Sequence, residues 1–285
     1  MLALRNIRLN LAYDGTAYHG FQSQPDKRLR TIEDALDAAI RKLTGEESKV
    51  ICAGRTDAGV HAVGQVVNFV TASRIPEERW ALALNSVLPP DIRVAEAREA
   101  APEFHARFSA RGKTYRYLIQ NGRIPAVLWR NYAHLVFEPL DLAAMREASR
   151  CLLGEHDFSS FRASGCSAKR PVRTVRRLEW QEMPVGSGDP AGWISAASPA
   201  ENPSQSPAAS TAPPDTARLG RLLAMVIEAD AFLYNMVRII AGTMIEVGKG
   251  KIAPAEVAKI LAARDRRRAG PTAAAGGLCL LEVHY

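Results

Sequence analysis

Lys113-Thr114-Tyr115-Arg116-Tyr117-Leu118-Ile119-Gln120-Asn121-Gly122 decides how the chain divides. Tyr115, Tyr117 and Ile119 alternate with Thr114, Arg116 and Leu118, the period-two spacing of a strand, and the turn dipeptide Asn121-Gly122 follows. The same kind of start occurs at the beginning of the chain. There Ile7, Leu9, Leu11 and Tyr13 alternate with Arg8, Asn10 and Ala12 until Asp14-Gly15 closes the run. Two starts of one pattern predict two domains, residues 1–110 and 111–285.

Outward from these strands the first half mixes helices and strands. Thr31 caps a helix predicted through Leu43, with Ile32, Leu36, Ala39, Ile40 and Leu43 on one stripe and Gly45 as its stop. Strands are predicted at Val50 to Ala53, Val63 to Val70 and around Ile92 and Val94. Pro76-Glu77 opens a helix through about Ser86. Interleaved helices and strands give an α+β class rather than a sandwich.

In the second half, helices are predicted over Asp141 to Leu153, Leu233 to Val247 and Pro254 to Ala263. Strands are predicted over Val172 to Gln181, Leu222 to Ala231 and Leu278 to Val283. Between the first two of these strands, residues 184–216 are rich in Pro, Ser, Gly and Ala, with Trp193 and Ile194 the largest apolar residues. A segment that buries so little surface cannot offset its ordering entropy, so it reads as a disordered insertion in a hairpin.

Composition narrows the function. The 285 residues are 47% hydrophobic, enough for a sizeable core. Runs such as Val237 to Ile245 are broken well short of the roughly 20 apolar residues a bilayer span requires. Without a secretory pattern at the N-terminus, the expected compartment is the cytoplasm. Cys52, Cys151, Cys166 and Cys279 form no C-x-x-C pair, and the six histidines form no helical ligand pair, so no metal is expected. The net charge of +7 favours a polyanionic partner. Basic residues cluster at Arg107, Arg111, Lys113 and Arg116, at Lys169, Arg170, Arg173, Arg176 and Arg177, and at Arg264, Arg266, Arg267 and Arg268. Each cluster alone could be a solvated face; three together point to nucleic acid.

The densest chemistry lies in Ala53-Gly54-Arg55-Thr56-Asp57-Ala58-Gly59-Val60-His61. Gly54 and Gly59 have phosphate-loop spacing. Val60-His61 nevertheless replaces the required Lys-Ser/Thr, and Asp57 would repel a phosphate, so the nucleotide-loop reading fails. An Asx-turn at Asp57 stays open. Against it, Arg55 and Asp57 sit between apolar strands, where neither charge is buried unpaired without large cost. A second oddity is Arg238, the only formal charge in the stretch Phe232 to Gly242. It either seeks a carboxylate or reaches a helix end or solvent.

Taken together, these stretches resemble the tRNA pseudouridine synthase A family. Gly54-Arg55-Thr56-Asp57-Ala58-Gly59-Val60-His61-Ala62 is similar to its nucleophile motif, Lys113 to Tyr117 to its tyrosine strand, and Met236-Val237-Arg238 with Gly242 to its arginine helix. Tyr13-Asp14-Gly15-Thr16, Gly20-Phe21-Gln22, Phe104-His105-Ala106-Arg107 and Leu153 to Phe161 also match, in the family's order. Only the 184–216 segment departs, being longer than a simple hairpin needs.

The resemblance implies two ferredoxin-like subdomains with antiparallel sheets flanking a central basic cleft, and a homodimer. It implies isomerisation of uridine to pseudouridine at positions 38, 39 and 40 of the tRNA anticodon stem-loop, with no cofactor. Asp57 would be the catalytic carboxylate, attacking ribose C1′ or uracil C6 or assisting elimination to a glycal. Arg238 would be the paired guanidinium that keeps Asp57 anionic. Tyr115 would stack on the extruded uracil, Arg55 would fill the vacated space or grip the phosphate, and His61 would contact RNA or pack. A tRNA-remodelling protein of the same fold without chemistry is the alternative.

Overall fold

Strand β1, Arg5–Tyr13, turns Ile7, Leu9, Leu11 and Tyr13 into the core, as the alternation predicts. The structure is a computed structural model describing residues 4–166, 168–185 and 219–285, within which there are ten strands and five α-helices. From residue 186 onward the insertion expected over 184–216 lies outside the described residues. The chain is a mixed α/β protein of two compact units, residues 1–113 with 279–285, and residues 114–278.

In the first unit, β1 pairs antiparallel with β3, His61–Thr71, on one side and with β4, Ile92–Ala100, on the other. Helix α1, Ile32–Thr44, precedes the short β2, Ile51–Cys52, which runs antiparallel to the later half of β3. The Thr31 hydroxyl accepts the Asp34 amide at the start of α1, and Gly45 ends it at φ 73°. Pro76 opens a 3-10 turn, Glu77–Arg79, before α2, Trp80–Val87. Trp80 then packs edge-on against Phe69 of β3, ring centroids 5.3 Å apart.

The last strand, β10, Leu278–His284, was expected to complete the second domain. It instead runs parallel to the start of β3, with Cys279 opposite His61 and Leu280 opposite Ala62. Short β2 leaves that stretch of the β3 edge uncovered, and unpaired strand groups require partners. Gly64 permits the approach, since a Cβ there would stand 2.0 Å from the Leu281 carbonyl oxygen.

In the second unit the strand order is β5, Gly112–Asn121; β9, Arg221–Ala229; β8, Val172–Pro184; and β7, Gly154–Asp157. Strands β8 and β9 are an antiparallel pair from Val175↔Ala229 to Pro184↔Arg221. Helices α3, Leu142–Ser149, α4, Met236–Gly248, and α5, Glu256–Ala263, complete the unit. The turn dipeptide Asn121-Gly122 ends β5, but the next strand, β6, His134–Val136, runs parallel to β5 and so is reached by a crossover. Gly122 serves close approach, a Cβ there falling 2.2 Å from the Leu219 carbonyl oxygen. The sheets, expected to be antiparallel, are not wholly so, because β10 and β6 both enter parallel.

Candidate active site

Asp57 lies in the connection between β2 and β3, a loop tied to neighbouring segments on both flanks. The Thr56 hydroxyl is buried against the Tyr13 hydroxyl, 2.8 Å away at the end of β1. The Thr56 carbonyl accepts the Phe21 amide at 2.9 Å. Gly20, at φ +92°, makes this possible, since a Cβ there would meet the Thr56 carbonyl oxygen at 2.7 Å. On the other flank, the Gly59 amide donates to the Tyr18 carbonyl at 3.2 Å and Val60 N closes a turn onto the Asp57 carbonyl at 3.1 Å. Asp57 itself is half-buried, held at the crest of a doubly anchored loop.

Beneath the loop, Gln65 of β3 is fully buried and donates its side-chain amide to the Gly54 carbonyl at 2.7 Å. Gln65, Tyr13 and Gly20 are positioning residues that the sequence reading did not assign. A polar Gln among the apolar residues of β3 was the available signal, because a buried amide must find partners. Lys113 lies against the loop as well: a Cβ on Gly54 would stand 2.9 Å from its Cε.

Arg55 is exposed and available to solvent-side ligands. His61 is only 6% exposed. Its Nδ1 is 3.1 Å from both the Gly15 amide and Asp14 Oδ1. Asp14 Oδ1 also accepts the amide and hydroxyl of Thr16. His61 thus ties the end of β1 to the start of β3.

Burial, reinforced by the charge of Glu33 and opposed by Arg55 and Lys113, pushes Cys52 up to about 11, so it stays protonated near neutrality. Among the described residues, no group of three or more His, Cys, Asp or Glu side chains could hold a metal ion.

In the second unit, Arg238 sits on the first turn of α4, which follows Asn235 in the left-handed region at φ 59°. Its Nε donates to the Ala273 carbonyl at 2.8 Å and Nη1 to Asn235 Oδ1 at 2.8 Å. Two contacts at different nitrogens fix the plane of the guanidinium. Ala273 is in reach because the chain crosses the helix at Gly242, where a Cβ would fall 1.8 Å from the Pro271 carbonyl oxygen. The Gly270 amide also donates to the Thr243 hydroxyl at 2.9 Å. The next carbonyl, Ala274, accepts the buried Tyr117 hydroxyl at 2.8 Å.

Tyr115, on β5, is 8% exposed and meets the Phe232 ring edge-on at 5.0 Å. Arg116 is 5% exposed, which removes it from the solvent-facing basic cluster the sequence suggested, while Arg107 and Arg111 remain exposed. Of the third cluster, Arg267 forks onto Asp265 at 2.8 Å and Arg264 lies 3.3 Å from Asp157, so part of its charge is neutralised locally.

Over residues 11–109 and 148–285 the sequence matches the tRNA pseudouridine synthase family. It is 43% identical to the tRNA pseudouridine synthase A of Acetivibrio thermocellus, over 99% of this chain and 100% of that one. Identity to the protein of the same name from Moorella thermoacetica is 45%, over 98% and 99%. For that of Bordetella petrii it is 41%, over 98% and 91%. The chain belongs to the tRNA pseudouridine synthase family, isomerases that convert uridine to pseudouridine.

Proposed function

We propose that this protein isomerises uridine at positions 38, 39 and 40 of the tRNA anticodon stem-loop, with Asp57 as the nucleophilic carboxylate. The observation that carries the reading is the framing of Asp57. Thr56 and Gly59 on either side of it are tied to Tyr13, Phe21 and Tyr18, which presents a carboxylate in one geometry without reorganisation at the moment of reaction.

The chemistry asks for little else. The N1–C1′ bond breaks, uracil turns, a C5–C1′ bond forms, the C5 proton departs and N1 gains one. Atoms and electrons balance within the substrate and water, so no redox partner is consumed. A carboxylate suits an electrophilic sugar carbon or uracil C6. Arg238 is the second catalytic residue in this proposal; its motif match and its fixed guanidinium support the role. Tyr115 offers the aromatic face for uracil, and exposed Arg55 the cation for the flipped nucleotide or its phosphate. The burial of His61 favours bracing the loop over direct RNA contact.

The proposal extends to the subdomains. In the first unit β2 lies beside β3, β3 beside β1 and β1 beside β4, all antiparallel. With α1 and α2 between them, this order supports a ferredoxin-like βαββαβ unit. In the second, β9 lies between β5 and β8 and helices α3 and α4 follow β5 and β9, which supports the same plan. We extend the reading to a cytoplasmic homodimer. Among the described residues no helix is long and apolar enough to cross a membrane.

The test supplies tRNA tritiated at uracil C5 and measures release into water. Wild type releases tritium in proportion to pseudouridine formed, and Asp57→Ala releases none. Free uracil among the products would indicate a hydrolase. Equal release by both proteins would remove Asp57 from the chemistry.

A further inference from the structure

Phe108 is the most exposed large hydrophobic side chain among the described residues, at 76%. A single exposed apolar residue is ordinarily unremarked. This one is held in place. The loop bearing it is tied by His105 Nδ1, which accepts the Arg107 and Phe108 amides at 3.2 and 3.3 Å. Ser109 closes it, its amide donating to the His105 carbonyl at 2.9 Å. The loop is then pinned to the first unit's sheet, because the Ala106 amide donates to Asn68 Oδ1 at 2.8 Å and Tyr285 donates to the Ala106 carbonyl at 2.8 Å.

The ring's own neighbours indicate what it is for. The His105 imidazole is tilted only 32° from it at 4.3 Å, and the Arg107 guanidinium lies 5.6 Å from its centroid. An exposed aromatic ring, stacked with an imidazole and with a guanidinium over it, in a chain of net charge +7, supplies what a nucleotide needs: a surface for the base and a charge for its phosphate. Five residues on, Lys113 packs against Gly54 of the Asp57 loop. Fully extended chain would separate residues 108 and 113 by at most about 18 Å, within the reach of one stem-loop.

We propose that Phe108, with Arg107 beside it, is a stacking platform for a tRNA nucleotide other than the target uridine. This rests on the tRNA reading above. The rigid loop contributes affinity by presenting the ring without ordering cost at binding, and stacking tolerates any base, so the platform would serve several tRNAs.

The experiment measures binding of an unmodified tRNA transcript to the Asp57→Asn protein, at one salt concentration, alone and with Phe108→Ala, Phe108→Leu or Phe108→Trp added. Ala and Leu should weaken the Kd by at least about fivefold, while Trp keeps it near the parent value. Parent-like binding by Ala would overturn the proposal, and so would parent-like binding by Leu, which would mean apolar contact rather than stacking. A changed oligomeric state in the Ala variant would make the ring a protein interface and overturn it too. Tritium release by the protein with Asp57 intact is scored separately, so the platform can fail while the proposed reaction stands.

Discussion

The hydroxyls of Tyr13 and Thr56 meet 2.8 Å apart in the buried base of the Asp57 loop, joining the end of β1 to the residue that precedes the carboxylate. Tyr13→Phe removes that bond and leaves the Thr56 hydroxyl without this partner. The expected cost is about 1–2 kcal/mol of stability, read as a lower urea midpoint. Because the lost contact orients the loop rather than the RNA, kcat should fall with KM little changed.

Gly242→Ala tests the support of Arg238. A methyl at 1.8 Å from the Pro271 carbonyl oxygen must push the crossing chain off α4, and with it the Ala273 carbonyl that holds Arg238 Nε. The expected destabilisation is about 1–3 kcal/mol or more. Activity measured at a temperature where the variant is fully folded should still fall, since the guanidinium has lost a fixed contact. Full activity in the folded variant would mean that this contact is dispensable.

Asp37 on α1 predicts a pH effect. Burial, with the charge of Glu33 adding, raises its carboxyl from 3.8 to about 6. Between those values the folded protein binds a proton that the unfolded chain has released. Its contribution is therefore full below about pH 4 and lost as pH rises through 6. Asp37→Asn, which keeps an acceptor for the Val50 amide, should raise the urea midpoint at pH 7 and leave it unchanged at pH 4. The side chain is partly exposed, so solvent screening keeps the gain small. Equal gains at both pH values would assign the effect to something other than charge.

Much of this was legible in the sequence. The β1 alternation, the Thr31 cap and the Gly45 stop are local signals, and each is where the pattern put it. What escaped was non-local. Nothing near Leu278–His284 announces that it will pair with β3, because the vacancy it fills is created by the shortness of β2 some 220 residues earlier. Asn121-Gly122 carries the composition of a tight turn, yet Gly122 is there to let Leu219 approach. The charged residues of the site motifs were visible from the sequence, but their surroundings were not. Arg116 was counted as a surface charge and is buried, and His61, read as contacting RNA or packing, is buried and accepts the Gly15 amide. Residue type told where charges occur along the chain; only packing told which of them face water.

Asp57→Asn is the most direct examination of the central claim, since it keeps shape and hydrogen-bonding capacity and removes only the negative charge. With enzyme in excess over tRNA in a single turnover, the account predicts an unchanged Kd and no detectable pseudouridine. Conversion by the Asn protein at a rate within about tenfold of wild type, less than the ~10²–10⁴ expected for loss of a catalytic group, would contradict it.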